Sequence, residues 1–264
     1  MLRFCPLFSG SSGNSVYIGD RSGGLLVDVG RSAKQTNNML KEIGVEPEFI
    51  KGILITHEHS DHVGGLSVFA AKHNIPVYAS AGTLLALKEK NILNAKHIDI
   101  ALNDEKAIIG DMLIEPFRTS HDCADSRGFV ITGSDGTTRV SVATDTGYLS
   151  PEMLQKLTGA KLSYIESNHD VKMLKNGSYP YTLQERILSE KGHLSNEACA
   201  AALKALVNKG TTHFVLAHLS RENNTPSLAY NAATSALTEA GALENRDYIL
   251  DIAAPENESG IMII

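Results

Sequence analysis

The chain has 264 residues, 42% hydrophobic and 20% charged, an ordinary globular composition that excludes a disordered, collagen-like or coiled-coil protein. Lys and Arg number 24 against 30 Asp and Glu, a net charge of −6. That balance argues against a broad nucleic-acid-coating surface, but it allows a local site where bound metal ions supply the positive charge. No apolar run approaches the roughly 20 residues that span a bilayer, and the opening residues turn polar too soon for a signal peptide. Cys5, Cys123 and Cys199 are scattered and odd in number. They form neither a disulfide framework nor a C-x-x-C knuckle, so a reducing, cytoplasmic setting is expected.

Short apolar runs recur between Gly, Asn and Asp clusters. Ser15–Gly19 reads as a hairpin strand, and Gly23-Gly24 as its turn. Leu25–Val29 and Gly52–Thr56 read as buried strands. Between them, Ala33 to Ile43 is helical and stops at Gly44. His62 to His73 carries Val63, Leu66, Phe69 and Ala70 at helical spacing. Met112 to Thr119 is strand-like, Ser134-Asp-Gly136 a turn, and Val140–Thr144 a buried strand. Ser150-Pro151-Glu152 has the order of an N-cap, a proline at the first helical position and an acid in the first turn. Residues 168–191 are more polar and aromatic, and read as an excursion facing substrate. A helix over Asn196–Val207 capped by Ser195, a strand at Phe214–Ala217 and a late helix from Ser227 to Ala240 complete the order. Nothing marks a domain boundary, so residues 1–264 are expected to form one domain. Two sheets between outer helices, an α/β sandwich, would bury these strands on both faces.

The sequence Thr56-His57-Glu58-His59-Ser60-Asp61-His62 lies between a buried strand and an amphipathic helix. His57 and His59, two apart on extended backbone, point to one side. Asp61 and His62 open the helix and can turn back toward the same point. Imidazole and carboxylate are ligands for Zn²⁺, and acceptable ones for Mn²⁺ or Fe. His121, Asp145 and His218 each end an apolar run, where an open-edged site is built.

This H-x-H-x-D-H cluster, followed in order by His121, Asp145 and His218, resembles the metallo-β-lactamase-fold hydrolases. Asp28, in Leu-Val-Asp-Val-Gly30, matches their early structural aspartate. The resemblance implies an αββα fold of two mixed β-sheets flanked by helices, with the metal site at the sheet edge. It further implies one ion on His57, His59 and His121, a second on Asp61, His62 and His218, and Asp145 bridging them. One or two divalent ions, Zn or Mn with Fe as an alternative, would then lower the pKa of a bound water and generate hydroxide.

Gly192-His193-Leu-Ser195-Asn196 selects among reactions. A helix N-terminus favours an anion such as phosphate, and His193 there could bind it or give a proton to the leaving group. Equally, Gly192 could end one element and Ser195 cap the next. The pattern is similar to the nuclease branch of the fold, which includes tRNA 3′-processing endonucleases. Ser9-Gly-Ser-Ser-Gly-Asn-Ser15, Glu166-Ser-Asn-His-Asp170 and His218-Leu-Ser-Arg-Glu-Asn-Asn224 extend the likeness to the bacterial YycJ (WalJ) family. That resemblance implies a cytoplasmic phosphodiesterase acting 5′-to-3′ on double-stranded DNA ends. Asp61 and His193 are then the catalytic candidates, with Glu166 orienting His193. Ser12, Asn14, Ser195, Asn196 and Arg221 are candidate substrate contacts, Asn223 a further one, and His169 a candidate contact to substrate or metal, or else an ordinary loop histidine. A lactonase, a cyclic phosphodiesterase or an RNA-processing endonuclease would use the same metals, and a non-catalytic binding protein would need no turnover.

Overall fold

The computed structural model describes residues 1–264. In the first half of the chain, β1 (Arg3–Phe8), β2 (Ser15–Gly19) and β3 (Gly24–Val27) form an antiparallel meander. β4 (Ile50–Leu54), β5 (Val77–Ala79) and β6 (Asp99–Ala101) extend it in parallel. Parallel neighbours need crossovers, supplied by α1 (Ala33–Glu42), α2 (Ser60–Val63), α3 (Leu66–His73) and α4 (Ala81–Glu89).

The second half repeats the plan. β7 (Ala107–Ile109), β8 (Met112–Arg118), β9 (Arg127–Thr132) and β10 (Arg139–Ala143) are antiparallel. β11 (Leu162–Glu166), β12 (His213–Ala217) and β13 (Ile249–Ile252) continue in parallel. Helices α5 (Pro151–Leu157), α6 (Val171–Asn176), α7 (Tyr181–Leu188), α8 (Asn196–Val207) and α9 (Pro226–Glu239) connect them, and β14 (Met262–Ile263) returns to pair with β1. Each sheet has seven strands.

Strand alternation builds three cores. Leu25 and Val27 of β3 join Phe129, Ile131, Val142 and Val215 between the sheets. Leu26, pointing the other way, joins Leu40, Leu66 and Phe69 of the helices. On the far side, Ile165 and Leu216 pack with Leu203 and Leu206 of α8. The layers are the expected αββα sandwich.

Several boundaries differ from the sequence reading by one or two residues, and two of the differences have a plain cause. The helix expected from His62 to His73 is broken at Gly64-Gly65. A Cβ on Gly65 would lie 2.0 Å from the Arg31 carbonyl oxygen, so two backbones touch there. The strand expected to reach Val29 ends at Val27, because Asp28 takes a left-handed φ of 63°. Residues 168–191 hold α6 and α7, α6 being capped by the Asp170 carboxylate. No helix is long and apolar enough to cross a membrane.

Candidate metal centre and active site

The buried Asp28 carboxylate organises the first loop. It accepts from the Thr56 amide and hydroxyl, both at 2.8 Å, and from His62 Nδ1 at 2.7 Å. Thr56 Oγ1 also lies 3.0 Å from His57 Nδ1. One Asp–Thr pair thus sets the rings of both histidines, as metal-ligating histidines require. From the other side, the Ser9–Ser15 loop grips the same segment. Asn14 N donates to the Asp61 carbonyl oxygen at 2.8 Å, and Asn14 Nδ2 lies 3.3 Å from Asp61 Oδ2.

His57, His59 and His121 converge, with His59 Nδ1 3.3 Å from His121 Nε2. His121 Nδ1 meets the Gly192 carbonyl oxygen at 3.0 Å, which turns Nε2 toward the cluster. Asp61, His62 and His218 form a second group. Asp61 Oδ2 stands 3.6 Å from His62 Nε2 and 3.8 Å from His218 Nε2. Asp145 lies between the two groups. Its Oδ2 is 3.3 Å from His62, and its Oδ1 is 3.1 Å from His218 and 3.9 Å from His121. Residues from four separated chain positions therefore meet at one edge of both sheets. Asp28, Asp145 and His218 all take left-handed φ angles of 54–63°. Non-glycine residues rarely adopt these angles, and here the bend follows the ends of β3, β10 and β12.

The donor set fits divalent cations. His57 Nε2 and Asp145 Oδ2 are buried with no hydrogen-bond partner, and orphaned buried polar atoms are exceptional. Burial, then His62 beside it, holds His57 well below the usual imidazole range, so its lone pair is free. Burial pushes the Asp145 carboxyl up, but His218 and His62 outweigh it and hold the group well below the carboxylate range. All the donors are nitrogen and oxygen, a set that suits Zn²⁺, Mn²⁺ or Fe.

A second device adjoins the centre. Glu166, at the end of β11 and fully buried, accepts His193 Nδ1 at 2.7 Å and His218 Nδ1 at 3.1 Å. It also accepts the Thr146 and Leu194 amides. Burial would raise its carboxyl, yet His193 and His218 lower it to about 2. Burial disfavours the His193 imidazolium, but Glu166 and Asp145 more than compensate and raise its pKa. The Glu166 carboxylate thus fixes the His193 ring through Nδ1.

A family model for the beta-lactamase superfamily domain matches residues 25–219. The chain belongs to this superfamily. Exodeoxyribonuclease YycJ of Bacillus anthracis is 40% identical over 242 residues, 91% of this chain and 90% of that protein. Exodeoxyribonuclease WalJ of Streptococcus pneumoniae is 40% identical over 243 residues, 90% and 89% of the two chains. The metallo-beta-lactamase fold protein YhfI from Bacillus subtilis superposes with a TM-score of 0.71 at 17% identity, covering 97% of this chain and 98% of that one. The superfamily fold and its hydrolase chemistry are thus those of this chain, and its His and Asp clusters suit a divalent metal.

Not every expected substrate contact faces the cleft. Asn14 is buried, and its carboxamide is engaged by Asp61, His62 and the Gly10 amide. Asn196 is buried in a network with Ser167 and Asn224. The Asn14 carboxamide ties down backbone, and that of Asn196 joins two neighbouring side chains. The Ser195 hydroxyl caps α8 by accepting from Ala198 N. Asn223 is buried, and so is His169, which lies outside both ligand groups. Ser12 and Arg221 remain accessible. The sequence reading missed Thr56, whose hydroxyl matters only because Asp28 folds back on it, and Arg31, which follows Gly30 past the end of β3.

Proposed function

We propose that this chain is a divalent-metal exodeoxyribonuclease that degrades double-stranded DNA from its ends in the 5′-to-3′ direction. The observation that carries the reading is Asp145 between two ligand groups with the Glu166–His193 pair alongside, in a chain 40% identical to named exodeoxyribonucleases. His57, His59 and His121 would hold one ion, Asp61, His62 and His218 the other, and Asp145 both. Zn or Mn is the first choice, with Fe an alternative. Such ions, when bound, supply water activation and charge stabilisation at the phosphate oxygens.

The chain's own groups do the rest. Asp61 is the most accessible of the carboxylates, its side chain 24% exposed, and it orients the attacking water and takes its proton. Glu166 holds His193 Nδ1, leaving Nε2 to protonate the departing 3′ oxygen. The test is digestion of end-labelled duplex DNA by chelated protein, resupplied with one metal at a time. Successive mononucleotide release that stops with chelator and in Asp61→Asn is expected, without loss of folding in that variant. Full activity in metal-free protein overturns the reading, and a single internal cut points to an endonuclease.

A further inference from the structure

Two arginines meet on one hydroxyl at the rim of the centre. Arg31 Nη2 donates to Ser12 Oγ at 2.8 Å, and Arg221 Nη2 donates to the same oxygen at 2.9 Å. Arg31 follows Asp28 by three residues, and Arg221 follows His218 by three. Both are therefore carried by strand-end loops that also carry site residues. The backbone links are short. Gly30 N donates to the Asn14 carbonyl oxygen at 2.8 Å, and a Cβ on Gly30 would lie 1.8 Å from the Asp61 carbonyl oxygen. Gly13 leaves room for the Arg31 stem, since a Cβ there would sit 2.7 Å from Arg31 Cδ.

This arrangement is unbalanced in charge. Two like charges are held within hydrogen-bond reach of one atom. Their only acidic partner is Glu256, 3.9 Å from Arg31 and 59% exposed; Arg221 forms no ion pair. Arg31 Nε is buried and has no hydrogen-bond partner. A serine hydroxyl has two acceptor lone pairs and one proton. With both lone pairs taken by guanidinium groups, the Ser12 proton is left to donate outward. Three donors, two of them cationic and forked, are thus gathered with only the exposed Glu256 carboxylate beside them, the chemistry that recognises a phosphate.

We infer that Ser12, Arg31 and Arg221 form a phosphate subsite beside the metal centre, which binds the substrate phosphate next to the one being hydrolysed. This rests on the phosphodiester reading above. The phosphate could be the terminal 5′ group or an internal diester, and the two share this chemistry.

The test uses the full-length protein as purified, its metal content measured, with Arg31→Ala, Arg31→Lys and Arg221→Ala. Calorimetric titration with inorganic phosphate, and KM and kcat on duplex DNA across a salt series, are the readouts. Arg221 is exposed, so its variant removes charge without disturbing the core. Each alanine variant is expected to weaken phosphate binding and raise KM about tenfold, with kcat changed less than threefold, and to flatten the log KM–log salt slope by about one. Arg31→Lys keeps the charge but not the fork, and should fall between. If the wild-type preference for 5′-phosphorylated over 5′-hydroxyl ends disappears in Arg221→Ala, the terminal group is the ligand. Equal losses on both ends identify an internal diester. Alanine variants that melt like the wild type and keep its phosphate affinity, KM and salt slope overturn the subsite while leaving the nuclease reading intact. Phosphate binding lost in the variants of a protein that cuts no DNA overturns the nuclease reading instead.

Discussion

His193 and Asp28 act on the centre in different ways, and substitution separates them. In the proposed reaction His193 Nε2 serves the leaving group, with Glu166 fixing Nδ1. In His193→Ala, kcat should fall by about 10²–10⁴, the usual worth of a positioned acid, while elemental analysis finds unchanged metal. Parallel loss of metal and turnover would make His193 a ligand instead. Asp28 meets no substrate; it holds His62 Nδ1 at 2.7 Å. Asp28→Asn should weaken metal affinity by about 10–100-fold, as loss of an outer carboxylate does. Competition with a chromophoric chelator measures this, and an unchanged constant would show that His62 needs no anchor. At this scale the sequence was most readable for residues whose chemistry is declared by their type. Three histidines and an aspartate within six positions name a metal site. The burial of Asn14 and Asn196 was not legible, because a polar residue in a glycine-rich or helix-start motif does not reveal which way its side chain points.

Turns couple the two sheets away from the active edge. Asp20, in the β2–β3 turn, accepts from the Ser22 amide and hydroxyl and from Ser134 N, which belongs to the β9–β10 turn of the other sheet. Burial would raise its carboxyl, but these donors lower it from the ordinary 3.8 to about 2. A depressed folded pKa stabilises the protein above the unfolded value, and the effect is lost as pH falls through the folded one. Asp20→Asn should therefore lower Tm at neutral pH. The gap to the wild type should close as acid brings the pH from 3.8 toward about 2. Thermal melts across that window check the sign, and a gap constant with pH would refute the assignment. Elements were legible where hydrophobic period and caps are local, as in α1, α5 and α8. The break at Gly64-Gly65 was not, because its cause is the Arg31 backbone from another segment. The short edge strands β6, β7 and β14 have two or three residues each and carry too little period to read.

Across the whole molecule, the ligands divide between the halves of the chain: His57, His59, Asp61 and His62 from the first, His121, Asp145 and His218 from the second. The core between the sheets contains 21 buried residues from both halves and none of these ligands. Chelation should therefore leave the protein folded but less stable. With metal at about 100 times its Kd, binding contributes about 2.7 kcal/mol, and Tm should fall by roughly 5–10 °C on chelation for a chain of this size. Calorimetry with and without chelator measures this; full unfolding on chelation would mean that the edge, not the core, holds the sheets together. The fold class was legible from alternating short strands and helices. The pairing of the two halves was readable only through the ligand order.

The left-handed backbone at Asp28, Asp145 and His218 changes how their substitutions should be interpreted. An alanine there deletes the functional group and keeps the conformational penalty, about 1–2 kcal/mol. Glycine deletes the same group and releases the tension. Comparing the two at each position separates what the chain sacrifices in fold stability from what it gains in reactivity.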